Sequence, residues 1–201
     1  MLTKNFNDLV GQKYQIIYAD PPWKYYGDPN KSQAAGKHYD CMTFEELSEL
    51  PVRSIFDKKA VMLMWTTSSK MDESIALIKS WGMYYRGVHQ VWVKTTNSGK
   101  IINGQGARPS FTKPTCEYLL IASTIKAGRI FPIFSENMAN VVLEARPNNI
   151  HSRKPAIFRE NIVTLFGNDL KKVELFARQN FQSWDAWGNE IATNENNELS
   201  L

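Results

Sequence analysis

Cysteine is nearly absent from the 201-residue chain: Cys41 and Cys116 stand far apart, in no paired-ligand spacing. Two such residues give no disulfide framework and are expected to be reduced thiols. Histidine is equally sparse. His38, His89 and His151 are scattered, so the spacing builds no metal site and none is expected. Long apolar runs are missing too. No stretch approaches the roughly 20 residues that span a bilayer, and the opening MLTKNFNDLVGQ lacks the apolar core of a signal peptide. No membrane contact is expected, and the compartment read from this is cytoplasmic, or nuclear in a eukaryote. Repeats and low-complexity tracts are absent. So is a dinucleotide fingerprint: GQGARPSF (Gly104–Phe111) follows no clear strand and opens no clear helix.

Acid is missing from one long window. Between Ser74 and Cys116 there is no Asp or Glu, while Lys79, Arg86, Lys94, Lys100, Arg108 and Lys113 all fall there. The net charge is only +4, but the last stretch, NEIATNENNELSL, carries Glu190, Glu195 and Glu198 and no base. The rest of the chain is therefore more basic than the total. An acid-free basic window suits a polyanion such as nucleic acid, or else a sheet-rich core segment with ordinary solvated lysines.

What is present is a globular composition, 43% hydrophobic and 22% charged, of a length that suggests one domain. We expect a single domain over residues 1–190 and an acidic, disordered tail over 191–201. Apolar runs rich in β-branched and aromatic residues read as strands at Lys13–Ala19, Ala60–Trp65, Val88–Lys94, Glu117–Thr124, Asn140–Ala145 and Lys172–Arg178. Helices are expected at Thr43–Leu50 and Ser69–Trp81, each opened by a capping box (Thr43 with Glu46, Ser69 with Asp72), and at Lys154–Phe166, closed by Gly167. Buried strands alternating with helices predict an α/β fold, a mostly parallel sheet with helices on both faces. The segments Gly27–Cys41 and Thr95–Pro114 read as loops, and a loop as long as the second is usually functional or disordered.

The stretch IIYADPPWKYY (Ile16–Tyr26) carries the chemistry. In open α/β sheets, ligands sit beyond the carboxyl ends of the strands, and Asp20 follows directly on one. Pro21 and Pro22 fix φ and remove two backbone donors, which leaves their carbonyls as rigid acceptors. Trp23 offers a flat apolar face, unless it is plain core. A primary amine on an aromatic ring matches this set. Asp20 accepts one N–H, the Pro21 carbonyl accepts the other, and Trp23 or a nearby tyrosine stacks on the ring, worth about 1–3 kcal/mol per base. The lone pair of such an amine is delocalised into the ring. Two fixed acceptors favour a pyramidal nitrogen aimed at an electrophile, and Asp20 stabilises the positive charge that develops.

ADPPW resembles the catalytic motif of the nucleic-acid adenine-N6 methyltransferases, in the branch typified by the catalytic subunit of the eukaryotic messenger-RNA methyltransferase. HYDCMTFEELSELPV, WGMYYRGVHQVWVKT, EYLLIA, HSRKP, VELFAR and WDAWGNE are similar to later family blocks in the same order, from about Tyr14 to Glu190. The resemblance implies a Rossmann-like fold with S-adenosyl-L-methionine as methyl donor, and nucleic acid as partner, DNA preferred and RNA the alternative. It assigns catalysis to Asp20, Pro21, Pro22 and Trp23, and cofactor binding to Asp20, Lys154, Glu174, Arg178, Asn180, Asn189 and Glu190. Lys154 would pair with the cofactor's carboxylate or simply be a helix-end charge. Glu174 would accept from ribose hydroxyls or, with Arg178, form a surface salt bridge. Tyr25, Tyr26 and Tyr39 are stacking candidates or packing only. Lys94, Lys100, Arg108 and Lys113 are read as phosphate contacts. Cytosine-N4 methylation is chemically near, and a non-catalytic nucleic-acid-binding subunit is the rival of another class. No separate target-recognition domain is evident, so either the recognised site is short or a second chain, identical or different, supplies specificity.

Overall fold

The computed structural model describes residues 1–24, 41–102, 112–147, 153–178, 180–181 and 183–189. Eight strands form one sheet: β1 (Leu2–Thr3), β2 (Tyr14–Ala19), β3 (Phe56–Thr66), β4 (Tyr84–Thr95), β5 (Cys116–Ser123), β6 (Val141–Ala145), β7 (Lys172–Leu175) and β8 (Asp185–Trp187). Their order across the sheet is β1-β8-β7-β2-β3-β5-β4-β6. Every neighbouring pair is parallel except the two made by β5, which runs against both β3 and β4.

Strand β2 is central, between β3 and β7, and its residues from Ile16 to Ala19 are fully buried. Alternation along a strand sends neighbours to opposite faces. Tyr14, Ile17 and Ala19 join one core, while Ile16 and Tyr18 join the other. The first core is capped by helices α1 (Phe44–Glu49) and α2 (Met71–Ser80) through Leu47, Leu77 and Ile78. The second is capped by α3 (Ile157–Phe166) through Phe158, Ile162 and Leu165. Both faces are therefore covered, as a run of uninterrupted apolar residues in a central strand requires. Trp65 on β3 anchors the second core: its ring meets Phe158 edge-on at 4.7 Å and its Nε1 donates to Tyr18 Oη at 2.5 Å.

Local chemistry explains most element ends. Helix α1 starts in the expected capping box: the Thr43 N–H donates to Glu46 Oε2 (2.7 Å) and the Glu46 N–H to Thr43 Oγ1 (3.3 Å). The box expected at Ser69 and Asp72 does not form. A 3-10 turn, Ser68–Lys70, leads into α2 with no side-chain cap, and Ser69 Oγ pairs with Thr67 Oγ1 instead. Helix α3 begins at Ile157, three residues later than expected, and ends at Gly167, whose φ of 78° suits glycine. Strand β7 stops at Leu175 rather than Arg178, because Phe176 turns to a φ of 60°. Strands β3 and β4 are longer than expected, and β1 and β8 were not expected at all. The tail over 191–201 lies outside the described residues. No described helix is long and apolar enough to cross a membrane.

Candidate active site

The carboxyl ends of β2, β7 and β8 open on one cleft with a cavity of about 210 Å³. Asp20 and Pro22 enter it from β2. Phe176, Ala177 and Arg178 line it from the turn after β7, and Trp187, Gly188 and Asn189 from the end of β8; Met42 and Leu50 add apolar surface. The sharp turn at Phe176 is what brings Ala177 and Arg178 to the wall. Glycine is required at 188: a Cβ there would lie 2.1 Å from the Ala177 carbonyl oxygen. The two loops are tied across this contact by the Ala177 N–H, which donates to Trp187 O at 2.8 Å.

The proline carbonyls are not left without partners. Pro21 O accepts the Trp23 N–H (2.9 Å) and Pro22 O accepts the Met42 N–H (2.8 Å). Each oxygen keeps a second lone pair, so the turn is pinned while its acceptors stay usable. Trp23 is a core residue, 5% exposed, with its Nε1 buried and without a hydrogen-bond partner among the described residues, and Lys70 Nζ lies 5.7 Å above its ring. The open stacking face expected of Trp23 is thus corrected to packing.

Asp20 is gripped from the other side. Lys154 Nζ donates to Asp20 Oδ2 at 2.7 Å and lies 3.3 Å from Glu117 Oε2. Glu117 in turn accepts from Lys94 through Oε1 at 2.5 Å. Burial opposes the charge on Lys154, but the carboxylates of Asp20 and Glu117 outweigh it and hold the ammonium above the usual lysine range. Burial likewise pushes the Glu117 carboxyl up, and Lys154 and Lys94 together bring it below its ordinary value. Lys154 thus has the protein's own acids, Asp20 and Glu117, among its partners. Lys94, expected on phosphate, is an internal ion-pair partner.

Glu174 also departs from expectation. It is 3% exposed, does not line the cleft, and is held by the Arg159 guanidinium through Nε (2.7 Å to Oε2) and Nη2 (to Oε1). Burial raises its pKa against the pull of Arg159. The fork-to-fork geometry favours the ionised pair. Of the remaining expected residues, Arg178 and Asn189 are in the cleft, whereas Asn180 is exposed and outside it. Lys100 and Lys113 are exposed on the segments joining β4 to β5. Tyr25, Tyr26, Tyr39, Arg108 and Glu190 lie outside the described residues. Among the described residues no three His, Cys, Asp or Glu side chains are grouped to hold a metal ion.

The residues that sequence reasoning missed are Glu117, Arg159 and Phe176. Glu117 starts a strand; only the reversed direction of β5 puts that start at the catalytic end. Arg159 is buried on α3, 3% exposed, which no sequence signal marks.

A model of the MT-A70 family matches residues 14–190, the whole sheet from β2 to β8 together with the cleft. The chain belongs to the MT-A70 family. It is an S-adenosylmethionine-dependent methyltransferase with the mixed α/β fold described above. It is 34% identical to the type II methyltransferase M.MunI of Mycoplasma sp, over 96% of this chain and 84% of that one. It is 27% identical to the N6-methyladenosine RNA methyltransferase MTA1 of Pyricularia oryzae and 25% identical to the human N(6)-adenine-specific methyltransferase METTL4. Each of those two alignments covers 89% of this chain, but only 47% and 37% of the relative. The chain therefore spans less than half the length of these two. The cleft suits the MT-A70 donor: apolar walls from Phe176, Leu50 and Trp187 for an adenosyl group, a carboxylate at Asp20 for a sulfonium, and polar atoms of Arg178 and Asn189 at the rim.

Proposed function

We propose that the chain transfers a methyl group to the exocyclic N6 amine of adenine in DNA. The observation that carries this reading is Asp20: it lies at the end of the central strand, inside the cleft, with only its Oδ2 hydrogen-bonded by a described side chain. Bound in this cleft, S-adenosylmethionine supplies an electrophilic methyl on a positively charged sulfur. Asp20 Oδ1 accepts one hydrogen of the amine, and the free lone pair of the Pro21 carbonyl accepts the second. The nitrogen is thereby turned out of conjugation. Taking the methyl group from sulfur would place positive charge on that nitrogen. Asp20 stabilises that charge, and one N–H proton then leaves to solvent.

Arg178 and Asn189 are the residues we assign to the donor, with Phe176 and Trp187 as apolar walls. Lys100 and Lys113, exposed beyond β4 and before β5, are assigned to backbone phosphates. DNA is favoured by the likeness to M.MunI over nearly the full length of this chain. RNA is the second reading, supported by the likeness to MTA1. In duplex DNA the target base must leave the stack, at a cost of a few kcal/mol. We assign the protein to the cytoplasm, or to the nucleus in a eukaryotic host.

The test is incubation with labelled donor and DNA or RNA oligonucleotides of one sequence, followed by mass spectrometry of the nucleosides. N6-methyldeoxyadenosine is the expected product. Label confined to RNA transfers the assignment to the second reading, and N4-methylcytosine or no label at all overturns both.

A further inference from the structure

We propose that Lys94 and Glu117 are positioning residues for Asp20: acting through Lys154, they fix one oxygen of the catalytic carboxylate to the protein so that the other faces the amine. The proposal rests on the role given to Asp20 above. Four alternating charges run from the cleft into the sheet. Asp20 Oδ2 is 2.7 Å from Lys154 Nζ, Lys154 is 3.3 Å from Glu117 Oε2, and Glu117 Oε1 is 2.5 Å from Lys94 Nζ. Glu117 spends a different oxygen on each lysine, so it is a two-sided clamp. The line crosses four parts of the fold: the end of β2, the residues before α3, the start of β5 and the end of β4.

Its surroundings make it rigid. Lys154 is 6% exposed and sits 5.5 Å over the Trp65 ring; Lys94 sits 5.1 Å over the Trp92 ring. The two indoles touch edge to face at 6.2 Å, and Trp92 Nε1 is tied to Glu144 O at 2.9 Å. Apolar rings lower the local polarity and strengthen each charge pair, and a lysine above an indole gains cation–π attraction. A Lys154 lacking Glu117 would lose one of the two acids that flank its ammonium. A Glu117 lacking Lys94 would have an unmatched second oxygen. Either loss loosens Asp20 without touching substrate, and misplacement of a catalytic group by about 1 Å costs up to roughly a hundredfold in rate.

The test separates positioning from phosphate contact. In Lys94→Met, kcat is expected to fall by about ten- to a hundredfold, with the KM for DNA, its salt slope and the calorimetric affinity for S-adenosylmethionine unchanged. Lys94→Arg, which keeps the pair, should recover most of the loss, and Glu117→Gln should resemble Lys94→Met. A raised KM for DNA with a salt slope smaller by about one, and kcat intact, would make Lys94 a phosphate contact and overturn the proposal. A second reading needs no activity. Asp20 and Lys94 share no contact, so the melting shifts of Asp20→Asn and Lys94→Met should be additive in the donor-free protein unless the line couples them. Non-additive shifts are expected, and additive ones overturn the proposal. Should the wild-type protein methylate no nucleic acid, the reading of its function fails, and this cycle alone still decides whether Lys94 acts on Asp20.

Discussion

Gly188 passes so close to Ala177 that a side chain on it would start 2.1 Å from a carbonyl oxygen. Backbone cannot yield as a flexible side-chain tip can. Replacing Gly188 by Ala should therefore part the two loops that wall the cleft. We expect Gly188→Ala to lose about 1–3 kcal/mol of stability and to bind S-adenosylmethionine more weakly by calorimetry. An unchanged melting temperature with unchanged affinity would contradict the contact.

Asp20 is the second target. Asp20→Asn keeps the shape and one acceptor oxygen but removes the negative charge. Methyl transfer should drop by about 10²–10³, while far-UV circular dichroism stays close to wild type and melting falls, because the buried Lys154 ammonium loses one of its two acids. A variant with more than a third of wild-type kcat would show that the charge does not stabilise the reacting nitrogen.

The Arg159–Glu174 pair gives a stability prediction. Both side chains are nearly inaccessible. Arg159→Leu alone strands a buried carboxylate and should cost about 3–5 kcal/mol in urea unfolding. Arg159→Leu combined with Glu174→Leu should cost less than the single change, because no charge is left behind. A double variant weaker than the single one would assign the pair a direct stabilising role.

His89 predicts the acid limb of stability. Burial lowers its pKa from 6.5 to about 4, and its Nε2 has no hydrogen-bond partner among the described residues. The unfolded chain therefore binds more protons between those two values, and stability falls as pH drops through that window. Melting temperature should be flat above about pH 7 as far as this group is concerned, then decline toward pH 4. His89→Gln should remove part of that decline. Identical pH profiles for the two proteins would exclude the histidine as its source.

Lys100 and Lys113 are exposed at the catalytic end. Changing either to Ala should weaken DNA binding to all sequences alike and reduce the slope of log affinity against log salt by about one. Titration at several salt concentrations measures this. An unaltered slope in both variants would move the phosphate track elsewhere.

The sequence made the catalytic end legible where chemistry is local. Asp20 behind an apolar strand, the Thr43–Glu46 cap and the Gly167 helix stop are all set by near neighbours, and the structure has them in place. What depends on distant pairing was not legible. The direction of β5 cannot be read from EYLLIA, so Glu117 was passed over and Lys94 was given to phosphate. Strand β8, DAW, is too short and too polar to show a period. It exists because β1 and β7 flank it, and its Asp185 is held by the Tyr14 hydroxyl at 2.7 Å. Glu174 looked like a crevice acid because it ends a strand. Its place in the alternation, opposite Tyr18, turns it instead toward α3 and Arg159.

The lone reversed strand divides labour within the enzyme. Most of the cleft wall comes from β7 and β8 on one flank of Asp20, and the acid at the head of β5 stands on the other. The connection entering β5 can therefore change in length or sequence without disturbing the walls that β7 and β8 supply. Evolution can retune the choice of target on that flank while the methyl-supplying machinery stays constant.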